Sequence, residues 1–167
     1  MKLTTLVAVS ALVLLQGCAG MDGRGLKVGQ STPQDVEAQM GRPAERLKAA
    51  DGDTIWFYPH QPFGRQMYAV RIAPQGVVRS VEQVLTVQNV AMLVPGTTSR
   101  SQTRELFGPP FETSYFPRQH RESWTYTMYS AGRQDFFLHV QMSDDGIVRE
   151  VMMIEDRQKD QGGPSHP

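Results

Sequence analysis

With a single cysteine among its 167 residues, the chain cannot build a disulfide framework or a zinc site made of cysteine pairs. Charge of one sign is also lacking, since 17 Lys and Arg face 17 Asp and Glu, which excludes the basic surplus that nucleic-acid partners require. No Gly-x-Ser-x-Gly elbow, glycine-rich phosphate loop or His-Glu-x-x-His spacing occurs. The four histidines, His60, His120, His139 and His166, have no two at ligand spacing, so no metal is expected. Asp51 and Asp53 straddle Gly52, and Asp144-Asp145-Gly146 lacks the further oxygen ligands of a calcium loop; both read as turns. The expectation is a protein without cofactor that is not an enzyme.

Long apolar runs are missing too. The longest stretch, Leu3 to Leu15, is too short for a bilayer core of about 30 Å, which needs roughly 20 helical residues. Behind Met1-Lys2 and ahead of Leu15-Gln16-Gly17-Cys18, it reads instead as the apolar region of a signal peptide over residues 1–17. The cleavage site resembles the bacterial lipobox, which implies that Cys18 becomes a lipidated N-terminus. By the same resemblance to sorting signals, Ala19 after that cysteine points to the periplasmic side of the outer membrane. Residues 18–25 are glycine-rich and read as the lipidated end and a flexible tether.

What the chain does contain, it contains twice. Leu26, Gly29, Gly41 and Pro43 recur 67 residues later as Leu93, Gly96, Gly108 and Pro110; Trp56 and Tyr58 recur 68 later as Trp124 and Tyr126. Such a period suits a half-domain built twice rather than a solenoid. Residues 26–88 form the first unit, 89–154 the second, and the polar residues 155–167 a disordered tail. Each unit opens with a hydroxyl cap, Thr32 before Pro33 or Ser99 after Thr98, then a helix of about two turns that stops at Gly41-Arg-Pro43 or Gly108-Pro-Pro110.

The period then becomes two. Strands are expected near 45–49, 54–58, 67–72 and 77–85, and near 111–116, 123–128, 136–142 and 148–154, giving an α+β chain of two tandem repeats, each a short helix on a mainly antiparallel four-stranded sheet. Tyr68, Val70 and Ile72 align with Phe136, Leu138 and Val140 and, with the Trp-x-Tyr pairs, are assigned to the helix-covered faces. One helix leaves the other face of its sheet uncovered. On that parity Phe57, Met67, Arg71, Phe137 and His139 are read as partner contacts, unless the two halves pack these faces against each other. Two loops, 59–65 and 115–124, combine aromatic side chains with Arg and offer a second contact site or plain turns.

A lipobox followed by Leu-x-x-Gly, a capped short helix ending Gly-x-Pro and a Trp-x-Tyr strand resembles the BamE (SmpA/OmlA) family of small outer-membrane lipoproteins. The motif residues are Gly29, Gly41, Pro43, Trp56 and Tyr58, repeated as Gly96, Gly108, Pro110, Trp124 and Tyr126. The resemblance implies binding to envelope proteins in support of β-barrel assembly or outer-membrane maintenance. Two such units in tandem are also similar in architecture to the β-lactamase inhibitory protein fold, which implies an alternative role as a periplasmic inhibitor or ligand-binding protein acting on an enzyme.

Overall fold

A computed structural model describes residues 22–60, 64–129 and 135–156. Cys18, the signal sequence and most of the tail therefore lie outside the described residues.

Helix α1 (Pro33–Met40) begins where Thr32 and Asp35 cap each other: the Asp35 N–H donates to Thr32 Oγ1 at 3.3 Å and the Thr32 N–H donates to Asp35 Oδ2 at 2.7 Å. Four strands follow, β1 (Glu45–Lys48), β2 (Thr54–Pro59), β3 (Met67–Ile72) and β4 (Val78–Gln83), paired antiparallel in that order. A one-turn helix, α2 (Val87–Val90), joins the halves; the sequence reading carried no helix there. Helix α3 (Arg100–Phe107) repeats the capping box with Ser99 and Gln102. Strands β5 (Glu112–Phe116), β6 (Arg121–Tyr129), β7 (Asp135–Ser143) and β8 (Val148–Glu155) form the second antiparallel sheet. The fold is α+β, built as two tandem repeats, as the repeated motifs and the alternation lead one to expect.

The duplication extends to single hydrogen bonds. Gly29 N–H donates to the Val78 carbonyl and Gly96 N–H to that of Val148, both at 2.8 Å. Tyr58 Oη reaches the carbonyl of Gly41 at 3.2 Å, and Tyr126 Oη that of Gly108 at 3.1 Å. Each tyrosine thus ties the last turn of its helix to its sheet. Burial pushes the Tyr58 phenol up to about 12, with Glu37 adding to the effect and Arg46 opposing it, and pushes Tyr126 further in the same direction. A neutral phenol held this way contributes stability that is complete below the unfolded-state value near 10 and is lost as pH rises above it. The urea midpoint is accordingly expected to fall steeply between pH 10 and 12, and Tyr126→Phe to flatten that fall; a flat profile in the parent protein would contradict it.

Strand register corrects the alignment of the third strands. Val70 lies opposite Trp56 and Val140 opposite Trp124, so β3 and β7 correspond at 70 residues, not 68, and the bulges at Arg71/Ile72 and Gln141/Met142 coincide. Tyr68, Val70 and Ile72 match Leu138, Val140 and Met142. The extra two residues enter between Tyr126 and Leu138, where β6 and β7 pair out to Tyr129 and Asp135 while β2 and β3 stop at Pro59 and Met67, and because the shift is even no side chain changes face.

Two clusters make the core. Val36 and Met40 of α1 cover Trp56, Tyr58, Val70, Ile72 and Val78 on one face of the first sheet. The larger cluster unites Trp124, Tyr126, Leu138, Val140, Met142 and Val148 of the second sheet with Phe107 of α3 and with Ile55, Phe57, Met67 and Ala69 from the reverse face of the first. The order of layers is therefore helix, sheet, helix, sheet, and α3 is shared by both sheets. Ion pairs stitch the same boundary: Arg104 of α3 meets Glu45 at 2.8 Å, and Arg71 meets Glu105 at 3.0 Å.

Two segment boundaries change. Asp22–Gly25, read as tether, lies on the fold, where Gly23 is buried and a Cβ there would come within 2.8 Å of Val81 Cγ1 and 3.2 Å of Met40 Sδ. Glu155 belongs to β8 and Asp156 pairs with Arg65 at 2.6 Å, so the fold takes in at least two residues past the expected end.

Candidate functional site

The faces assigned to partner contact split into two fates. Phe57 and Met67 are 0% exposed, beneath α3 and the segment leading into it, and are corrected from surface contacts to core. Parity was read correctly; what covers the face comes from the other half. The signal was present at Phe57, whose repeat equivalent is Thr125: an aromatic where the face is covered and a hydroxyl where it is not.

Arg71 sits at the rim of the same boundary and is engaged by carboxylates, Asp51 at 3.0 Å, Glu105 at 3.0 Å and Asp53 at 3.6 Å, while Arg79 reaches Asp53 at 3.0 Å. The Asp53 backbone N–H, helped by Arg71 and Arg79, holds the Asp51 carboxyl below its ordinary value. Asp53 is fully buried, so this arrangement spares it an uncompensated charge.

Phe137 and His139 stand on the far face of the second sheet, where no described element covers them. Their rings are 6.3 Å apart, and Thr125 Oγ1 lies 3.0 Å from His139 Nδ1. Cross-strand pairing adds Ile154 beside Phe137 and Met152 beside His139. Along β6 the same face carries Ser123, Thr125 and Thr127, short side chains at 5–9% exposure shielded by taller neighbours. The result is a shallow trough with a hydroxyl floor and an apolar wall. Ile154 is 51% exposed and Phe116, at the end of β5, 43%. Phe116 falls in the 115–124 stretch read as a second contact site or plain turns; the sequence reading did not single out Met152 or Ile154, though the alternation Glu150, Met152, Ile154 carries the signal.

Of the two readings left open for the two loops, the observed contacts are structural. Arg65 is fastened to Asp135 at 3.0 Å and Asp156 at 2.6 Å, with its guanidinium 5.7 Å from the Phe137 ring centre, so the first hairpin braces the end of the trough. Residues 115–124 are mostly strand, reversing at 117–120. Asp144 accepts from Tyr115 Oη at 3.1 Å and lies 3.1 Å from His120 Nδ1, clasping two hairpin ends together. That contact raises the Tyr115 phenol above its ordinary value. Among the described residues no three His, Cys, Asp or Glu side chains could hold a metal ion, and no helix is long and apolar enough to cross a membrane.

No family profile and no curated protein matches the sequence significantly. Among solved structures, a DUF4309 family protein (YjgB) from Bacillus subtilis is 17% identical over 80% of this chain and 84% of its own, with a TM-score of 0.30. A proposed β-lactamase inhibitor protein from Streptococcus mutans is 12% identical over 78% of this chain and 91% of its own, with a TM-score of 0.29. Both superpose too loosely to carry an argument, so the architecture stands on the strand pairing itself and the site on its own geometry.

Proposed function

We propose that the chain is a lipid-anchored protein-binding module on the periplasmic face of the bacterial outer membrane, which captures another envelope protein on the far face of its second sheet. One observation carries the reading: a surface made twice by duplication is covered once, by α3, and once left without a cover among the described residues, with Phe137, Met152 and Ile154 raised beside a polar floor. An apolar row next to hydroxyls and an imidazole is the composition of a protein contact, where a few desolvated anchors dominate and a polar rim surrounds them. Anchoring rests on the lipobox at Cys18. Support of β-barrel assembly as the purpose of capture rests on the resemblance of the motif series to that of the BamE-type lipoproteins.

The test is photocrosslinking in intact cells from a probe residue at position 152. A discrete adduct with an envelope protein is expected, reduced roughly tenfold by Phe137→Ala with Ile154→Ala, the loss of one to two hot-spot side chains. The same yield from the double variant would remove the trough from consideration. Cys18→Ala is expected to move the protein from the membrane to the soluble periplasmic fraction and to weaken capture through lost local concentration; continued sedimentation with membranes would end the anchoring argument.

A further inference from the structure

Where the first sheet and α3 diverge, they leave a cleft of about 620 Å³ that the trough on the second sheet does not touch. Its floor is apolar, made by Ile55, Ala69, Val84 and Leu106, and Met92 stands at its rim, 62% exposed. Val87 and Val94, both close to Met92 in sequence, are exposed as well, at 43% and 51%, so the segment from α2 to α3 carries an apolar border. A volume of this size falls within the ~300–1,000 Å³ of ordinary ligand sites and exceeds the needs of any single side chain.

Its charges are unbalanced. The lining includes one cation, Arg71, and two carboxylates, Glu82 and Glu105. Arg71 is fully spoken for, since Asp51, Asp53 and Glu105 surround it. Glu82, opposite Ala69 on β4, is exposed and has no cation within ion-pair distance among the described residues. An anion entering the cleft would therefore meet an excess of negative charge, whereas a cation on an apolar stem would meet a carboxylate above an apolar floor.

We propose that this cleft binds a short segment of a partner protein through a lysine or arginine side chain, whose stem lies along Ile55, Ala69 and Val84 while its charge meets Glu82. A long basic side chain suits both parts of the surface, as its methylenes bury while the charged head stays near water. The apolar border from Val87 to Val94 would receive the residues flanking it. This site is independent of the trough and stands or falls separately, because the shared helix and the whole second sheet lie between them.

The experiment is a methyl-resonance titration of the mature protein with the peptide acetyl-Leu-Lys-Leu-amide. Saturable shifts are expected at Ile55, Val84 and Met92, absent with acetyl-Leu-Glu-Leu-amide and weakened by added salt. Glu82→Gln, an exposed substitution that leaves the rest of the spectrum in place, is expected to weaken binding about two- to fivefold, the range of one solvent-accessible ion pair. Absence of saturable shifts, equal response to both peptides, or unaltered affinity in Glu82→Gln would each overturn the proposal.

Discussion

Phe57→Ala is expected to destabilise the protein by about 3–5 kcal/mol, the range for removing a fully buried aromatic ring. The ring is 0% exposed and lies against Gly108, in the cluster that also holds Met67, Phe107 and Tyr126. It occupies the boundary between the halves, so its removal leaves a cavity that neither half can close without moving α3. Urea unfolding is the measurement, and a single transition at lower midpoint is expected, because the larger cluster is continuous across both sheets. A loss below about 0.5 kcal/mol would be what a surface residue gives, and would mean that the two halves do not pack in this way.

The second large effect separates two glycines that the sequence treats as equals. Gly41 has φ 78° and ψ −163°, Gly108 φ 73° and ψ −158°, a region essentially reserved for glycine, so alanine at either site is expected to cost about 1–3 kcal/mol in backbone strain. Around Gly41 a Cβ would meet nothing within 4 Å, whereas at Gly108 it would come within 2.5 Å of Phe57 Cδ1. Gly108→Ala is therefore expected to exceed Gly41→Ala by a further ~1–3 kcal/mol of overpacking. Combining it with Phe57→Ala makes room for the methyl group, so the double variant should lose less than the two separate losses together by about 1 kcal/mol. Equal losses at the two glycines, or strict additivity with Phe57→Ala, would refute the close approach of α3 to the first sheet.

Much of each half was legible because its causes are local. Thr32 with Asp35 and Ser99 with Gln102 cap helices within a single turn of chain, Gly41 and Gly108 end them, and alternation marks strands whose observed limits fall within two residues of those expected. The 70-residue correspondence of β3 and β7 was not legible from residue likeness: Tyr68 resembles Phe136 but pairs like Leu138, and only the cross-strand partners Trp56 and Trp124 reveal it. Helix α2 escaped because four residues carry no period, and its cap, Thr86 accepting from the Asn89 N–H at 3.1 Å, is an ordinary Thr in the sequence. Gly23 looked like linker because its role is to be small beside Met40 and Val81, contacts made by residues far along the chain.

The sequence by itself determined that two helix-and-sheet units follow one another and which side chains share each sheet face, since capping, turn chemistry and two-residue alternation act between near neighbours. Only the tertiary structure decided which of the two equivalent faces stays uncovered. Phe57 and Met67 have the same parity as Thr125 and Phe137, yet α3 buries the first pair, while no described element covers the second pair's face. The reason is asymmetry in the stacking of a duplicated unit: α3 lies between the two sheets and serves both, while no further helix follows among the described residues to cover the last.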